Sequence, residues 1–390
     1  MRVLQVIGGL GMGGAETWLV ALLRYWHARP GTPRLDFLVT GGDPGVFDDE
    51  VRALGGRIFY LRYGRDNMVG FTQAFRRLLR TERYQAIHDH CDYASGWHYV
   101  LGKGVLPPVR VTHVHNPIYQ AANNYGVTFR RRATARVGRL LVSRFATHIA
   151  GTSQQAIVEH GFTGPRFAGI HAQAVHCGFE PGQYGADRAA ARARVCAEFR
   201  WPEDAKIILF AGRIDRSPDP ADPRTHKNSG FAVSVAIRCV KRDSDVRAIF
   251  AGAPSPATPV LERRIAEADF ARQIQLVGVR HDIPDLMLAA DVLLFPSRGE
   301  GLGMVAVEAQ AAGLPVVASD AVPRECVVVP DLVRFLRVQE GAERWASVLL
   351  DEMGRPRNVE GPNRAVTASP FSISRSAEVL AKIYASAKAL

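Results

Sequence analysis

Short apolar, β-branched runs alternate with amphipathic stretches of helical spacing along nearly the whole chain, and the series starts twice. A strand whose helix carries the chain back to the same sheet edge must be followed by a parallel strand, so this alternation predicts parallel sheets with crossover helices. The first series has strands at Val3–Ile7, Leu35–Thr40, Arg57–Tyr60, Ala86–Asp89, Arg110–His113 and Thr147–Ala150, with helices at Ala15–His27, Phe71–Arg80 and Arg131–Ser143. After Trp201-Pro202 it restarts, with strands at Lys206–Ala211, Val246–Ala251, Ile274–Val277, Val292–Phe295 and Pro315–Ala318. The expectation is an α/β fold of two Rossmann-like open parallel-sheet domains facing across a cleft. Residues 1–180 are expected to form the first domain, 181–202 a hinge, 203–370 the second domain, and 371–390 a C-terminal helix that returns to the first. Ligands of such sheets bind at the carboxyl ends of the strands.

Composition removes several classes. No segment approaches the roughly 20 uninterrupted apolar residues that span a bilayer. Glycines from Gly8 onward break the first apolar run before it could serve as a leader, so that run is expected to be a strand. Five scattered cysteines, none in a C-x-x-C pair, suggest reduced thiols and a cytoplasmic protein without a zinc site or disulfide framework. A formal charge of +11 favours anionic partners such as nucleotides, phosphates or acidic lipid, though it identifies none.

The most informative segment runs from Phe295 to Glu308, F-P-S-R-G-E-G-L-G-M-V-A-V-E. A buried strand ends, a glycine-rich turn follows, and a helix is expected from about Leu302 to Gly313. Gly301, Leu302 and Gly303 bring backbone close to a ligand, and the helix start offers free N–H groups to a diphosphate. Glu300 and Glu308 then flank that phosphate site as hydroxyl acceptors, which suits a nucleotide sugar. The bland alternative, a solvated Glu300 and a surface Glu308, sits poorly with the apolar residues around Glu308.

This segment, followed by Ala311 to Ser319 (A-A-G-L-P-V-V-A-S), resembles the E-x7-E motif of glycosyltransferase family 4, retaining enzymes of the GT-B fold. The resemblance extends to Gly13-Gly14-Ala15-Glu16, Thr112 to Asn116 (T-H-V-H-N), Phe210-Ala211-Gly212-Arg213, His226-Lys227-Asn228 and Ser319 to Glu325. It is closest in kind to members that build bacterial exopolysaccharide or capsule and to relatives that decorate natural products. It implies that Glu300 holds the donor sugar, Glu308 the ribose, and Arg213 and Lys227 the diphosphate. Gly13 and Gly14 would line the cleft opposite the phosphates, with Glu16 close by. His115 would orient the donor sugar or transition state, and retention of configuration follows from the resemblance alone. The base is expected against the backbone of Gly278, Val279 and Arg280. Arg213 and Lys227 are separated by Ile214 to His226, a proline-rich stretch longer than the family's usual turn.

Other signals are weighed beside these. Gly9, Gly11 and Gly14 spell a dinucleotide fingerprint, but no acidic residue ends the second strand, which disfavours a nicotinamide enzyme. His88, His90 and Asn116 are assigned with Glu16 to an acceptor pocket. The run His88 to Asp92 resembles metal ligands, yet alternation along a strand is expected to keep it from converging on one ion. Asp243-Ser244-Asp245 reads D-x-D but precedes its strand, away from the ligand edge, so no metal and no other cofactor is expected. Arg130, Arg131, Arg132, Arg136, Arg139 and Arg144 share a helix with Val137, Leu140, Leu141 and Phe145, a pattern suited to the inner face of an anionic membrane or to packing with a solvated basic face. The expected partners are a nucleotide-sugar donor of UDP or GDP type and a small-molecule, lipid-linked or saccharide acceptor; nucleic acid is not among them. Two further hypotheses stay open: a glycosidase using Glu300 and Glu308, and a nucleotide-sugar-binding module without turnover.

Overall fold

The computed structural model describes residues 1–386 except Met12, 117–127, Pro220 and Pro223. The chain divides into two compact units, Met1–Phe179 with Pro370–Leu390, and Glu180–Ser369. The first is built on a seven-stranded sheet ordered β3-β2-β1-β4-β5-β6-β7, where β1 is Arg2–Ile7, β2 Arg34–Val39, β3 Ile58–Tyr60, β4 Ala86–Asp89, β5 Val109–Val114, β6 His148–Gly151 and β7 His171–Ala174. The second has a six-stranded sheet ordered β10-β9-β8-β11-β12-β13, with β8 Lys206–Ala211, β9 Val246–Ala251, β10 Ile274–Gly278, β11 Val292–Phe295, β12 Val316–Ser319 and β13 Val333–Leu336. Every pairing in both sheets is parallel, as the alternation predicts.

Central strands are apolar throughout because helices cover both of their faces. In the second unit Ile208, Phe210, Phe250 and Leu294 pack with Val235, Cys239 and Trp345 from helices Ser229–Arg242 and Gly341–Met353. In the first unit Leu4, Val6, Leu38 and Ile87 pack with Phe71, Phe75 and Leu79 of helix Met68–Glu82. The chain end belongs to this unit: helix Ile373–Ala385 lies against helix Gly14–His27, where Trp18 Nε1 donates to Ser376 Oγ at 2.9 Å. Gly178 permits that approach, since a Cβ there would stand 2.7 Å from the Ser372 carbonyl oxygen.

Three details depart from the sequence reading. The edge strands β7 and β13 escape it; β7, His-Ala-Gln-Ala, is mostly exposed and carries no apolar alternation. The stretch read as a hinge holds helix Arg188–Phe199, which packs on helix Ile283–Ala289 inside the second unit. Its Arg192 ties Asp291, 3.1 Å away, to the sheet. The helix after the glycine turn is Met304–Ala311, shorter at both ends than expected because Gly303 and Gly313 both take left-handed φ. The last helix is seen to Ala385, and residues 387–390 lie outside the described set.

Candidate active site

In the second unit, strands β8 and β11 lie side by side and deliver the polar groups at their carboxyl ends. Lys227 Nζ makes a 2.6 Å ion pair with Glu300 Oε1, and the ammonium lies 5.7 Å from the centre of the Phe295 ring. Lys227 is placed by Asp215, a residue only 5% exposed. The Asp215 carboxylate accepts from the backbone N–H of His226 at 2.7 Å, Lys227 at 3.0 Å and Ser229 at 2.9 Å, and from Ser229 Oγ at 3.2 Å. A buried carboxylate with four donors fixes the backbone on which Lys227 stands. The proline-rich stretch therefore leaves the Lys227–Glu300 pair intact; its Pro220 and Pro223 lie outside the described residues. Arg213, one residue beyond Gly212 at the end of β8, is exposed. Gly252 after β9 admits the turn at Gly212, because a Cβ there would come 2.0 Å from the Gly212 carbonyl oxygen.

The two glutamates differ electrically. Burial raises the cost of charging Glu300, but the Lys227 ammonium, with His226, outweighs it and holds the carboxyl below its ordinary range. Glu308 is half-buried, and desolvation, opposed only in part by Lys227, pushes its carboxyl up to about 7. Tyr184 is a neighbour of Glu308, whose charge adds to burial in raising the phenol.

Gly303 sits at φ +90°, and a Cβ there would meet Val322 at 2.9 Å and Phe295 at 3.1 Å, so the turn that carries Gly301 and Leu302 into the helix requires glycine. The helix end is clamped by Arg357, which donates to the carbonyls of Leu288 at 2.9 Å, Ala312 at 2.5 Å and Gly313 at 3.2 Å, and to that of Ala290. Gly278 ends β10 at φ +70° and Val279 is 45% exposed. The Arg280 guanidinium is taken up by Glu198, 2.8 Å away, and by Asp282, 2.6 Å away.

In the first unit Gly13 caps helix Gly14–His27, and Glu16 folds back over it, its carboxyl raised by burial. His115 directly follows β5, half-buried, and desolvation lowers its imidazole to about 3. Its Nε2 lies 2.8 Å from His90 Nδ1. Asn116 is exposed, and its carbonyl oxygen is 2.7 Å from His160 Nε2. His88 does not fit the acceptor pocket expected for it. It is 0% exposed, between the Tyr384 hydroxyl at 2.6 Å and His113 at 3.0 Å, because it lies on the inner face of β4 beneath helix Ile373–Ala385.

The expectation that the His88 run cannot gather ligand atoms also fails. His88 and His90 are two residues apart and so share one face, and with His113 they bring ring nitrogens within 4.8 Å of one another. Asp89, Cys91 and His98 form a second such group on the opposite face. Some of the ring nitrogens already have partners, since His88 and His113 are coplanar within 5° with facing nitrogens and His98 Nδ1 is 2.7 Å from Asp89 Oδ2, whereas His98 Nε2 and His113 Nε2 have none among the described residues. Asp243, from the D-x-D triplet, precedes β9 and pairs with Lys206 Nζ at 2.6 Å.

The chain matches two family models, "Glycosyltransferase Family 4" over residues 12–157 and "Glycosyl transferases group 1" over residues 205–350. A D-inositol 3-phosphate glycosyltransferase of Streptomyces scabiei is 31% identical over 79% of this chain and 69% of its own length. The chain belongs to glycosyltransferase family 4. EpsF of Bacillus subtilis (strain 168), which carries a glycosyltransferase name, is 27% identical over 91% of this glycosyltransferase and 89% of its own length. Among solved structures, HepE of Anabaena in complex with UDP superposes at TM-score 0.75 with 18% identity, covering 99% of this chain and all (100%) of that one. Sucrose-phosphate synthase of Thermosynechococcus elongatus gives TM-score 0.72 with 17% identity, covering 100% and 99%. These likenesses show the GT-B fold.

Several residues of the glycosyltransferase were not singled out from sequence: Asp215, Tyr184, Arg357, Gln5, Trp18, His113, Cys177 and Tyr384. Two carried a readable signal. Asp215 follows Arg213 at a strand exit, and His113 and His115 repeat at the end of β5 the spacing of His88 and His90 at the end of β4. The others come from distant segments and announce nothing locally.

Proposed function

We propose that this glycosyltransferase moves a sugar from a nucleoside diphosphate onto a hydroxyl acceptor in polysaccharide or natural-product glycoside assembly, with retention and without a metal. The observation that carries this reading is the Lys227–Glu300 ion pair at the mouth of the glycine turn, with Glu308 one helix segment further on. An arriving diphosphate draws Lys227 toward itself, joined by Arg213, and frees Glu300 to accept from sugar hydroxyls. Glu308 then accepts from the ribose, while the backbone of Gly278, Val279 and Arg280 meets the base and that of Gly301, Leu302 and Gly303 the phosphates. The bond from the anomeric carbon to the diphosphate oxygen breaks, the acceptor oxygen bonds to that carbon on the same face, and its proton passes to the departing phosphate. In the first unit Gly13 and Gly14 are assigned to the phosphates, His115 to the sugar, and Glu16 and Asn116 to the acceptor, while the buried His90 acts behind His115.

UDP is the first donor base to test, since HepE was solved with UDP and with UDP-glucose. The breadth of acceptors matches structural neighbours named for lipopolysaccharide and avilamycin A biosynthesis. Thermal-shift screening of UDP, GDP and ADP with their sugars should raise the melting temperature for one base. Glu308→Ala should abolish that rise and Glu300→Ala should reduce it for the sugar nucleotide alone; no rise with any nucleotide would defeat the reading.

Peripheral membrane contact is part of the proposal. Helix Phe129–Phe145 packs through Gly138 and Val142 and leaves Phe129 (87%), Leu140 (48%) and Val137 (39%) exposed among its arginines. Val137 and Leu140 thus face outward, where an anionic bilayer would take them. No helix among the described residues is long and apolar enough to cross a membrane. Flotation with anionic liposomes tests this contact, and absence of association refutes it.

A further inference from the structure

A continuous chain of hydrogen bonds runs from His115 into the core of the first unit. His115 Nε2 is 2.8 Å from His90 Nδ1, and His90 Nε2 is 2.8 Å from Gln5 Oε1. Gln5 Nε2 donates to the Tyr384 hydroxyl at 3.2 Å. That hydroxyl lies 2.6 Å from His88 Nδ1, and His88 Nε2 lies 3.0 Å from His113 Nδ1. Gln5, His88, His90, His113 and Tyr384 are all buried, and the Trp18 indole packs over the four imidazoles at 5.3 to 6.5 Å.

Each link restricts the next. The amide oxygen of Gln5 can only accept, so His90 carries its proton on Nε2. Burial beside other imidazoles keeps His90 neutral, which leaves Nδ1 as a lone pair and obliges His115 to donate from Nε2. The other arm points the same way: Gln5 donates to Tyr384, Tyr384 to His88, and His88 to His113. His113 Nε2 has no hydrogen-bond partner among the described residues, so the direction of the whole chain is set at Gln5, whose amide oxygen faces His90 and whose amide nitrogen faces Tyr384. At the open end, Cys177 Sγ stands 3.9 Å from His115 Nδ1, a weak thiol donor that a hydroxyl can displace.

We propose that Gln5, His90 and Tyr384 are positioning residues that hold His115 as its Nε2–H tautomer, so that Nδ1 meets the substrate as an acceptor for a sugar hydroxyl. This rests on the reading of His115 as a substrate-facing residue and deepens it. It also gives helix Ile373–Ala385 a part in the chemistry, because the hydroxyl that orients Gln5 comes from the far end of the sequence.

The test is a ¹⁵N magic-angle-spinning spectrum of the full chain labelled at histidine, with His115 assigned by difference from His115→Gln. At neutral pH the wild type should show His115 protonated at Nε2 and bare at Nδ1. Tyr384→Phe keeps the ring and removes only the hydroxyl, so Gln5 loses its reference and His115 should show both tautomers; Gln5→Met serves the same purpose if that variant does not fold. A wild-type His115 protonated at Nδ1, or an unchanged tautomer in the folded variant, overturns the proposal. So does binding of one equivalent of zinc that is lost in His90→Gln, which would make the cluster a metal site. The spectrum needs no nucleotide, so its failure leaves the donor-site reading to be judged by thermal shift.

Discussion

Replacing Glu308 by glutamine should stabilise the unliganded protein and weaken its grip on the donor, with a pH signature that separates the two effects. In the folded chain desolvation lifts the Glu308 carboxyl from 4.5 to about 7. The folded state therefore keeps a proton that the unfolded chain gives up. Its favourable contribution is complete below about pH 4.5, is lost as pH rises toward 7, and stays lost above. At about 1.4 kcal/mol for each tenfold change, the full loss is about 3 kcal/mol. Partial solvent access to this half-buried side chain reduces it to roughly 1–2 kcal/mol. Glutamine cannot ionise and escapes the loss. The melting temperature of Glu308→Gln should match wild type near pH 4.5 and exceed it by about 2–8 °C at pH 8, at roughly 2–4 °C per kcal/mol for a unit of this size. UDP affinity should fall about tenfold or more, as expected for losing a charged acceptor. Scanning fluorimetry from pH 4.5 to 8 reads both, and a difference in melting temperature that does not change with pH would refute the desolvation argument.

The remaining predictions concern the parts that hold this site. Lys227→Met strands the Glu300 carboxylate without its 2.6 Å partner, so donor binding should vanish in calorimetry and the loss of stability should be larger at pH 8 than at pH 4. Asp215→Asn keeps one oxygen for the N–H groups of His226 and Lys227 but turns the oxygen that accepts from Ser229 into a donor, and should cost about 2–4 kcal/mol in urea unfolding, with donor affinity falling in parallel. Gly303→Ala forces a side chain into a left-handed turn already against Val322 and Phe295, and should lower stability by about 1–3 kcal/mol and turnover with it. Turnover should survive a chelator; loss that manganese restores would show that a metal is required.

Much of the fold is written locally. Each buried strand of a doubly covered parallel sheet must be apolar, and each crossover must be an amphipathic helix, so the positions of β1, β4, β8, β9 and β11 and the restart after Trp201-Pro202 follow from periodicity. The glycine turn into helix Met304–Ala311 is equally local, because left-handed backbone and close approach leave glycine as the residue that fits at 303. What periodicity cannot reach are edge strands such as β7, which bury too little apolar surface to need a pattern.

The site divides along the same line. Glu300, Glu308 and Lys227 were legible because their chemistry is concentrated beside strand ends. Their electrical states were not, since a carboxyl near 7 and one held below its usual range differ only by which atoms lie around them. Sequence likewise placed two histidines on strands and two just beyond their ends but hid that strand pairing and the returning C-terminal helix join them with Gln5 and Tyr384 in one directional chain. Residue type and spacing determine which groups stand at a sheet edge, because a strand has a fixed period of two. Only packing decides which of them keep a proton, since desolvation and hydrogen-bond direction are properties of neighbours far apart in the chain.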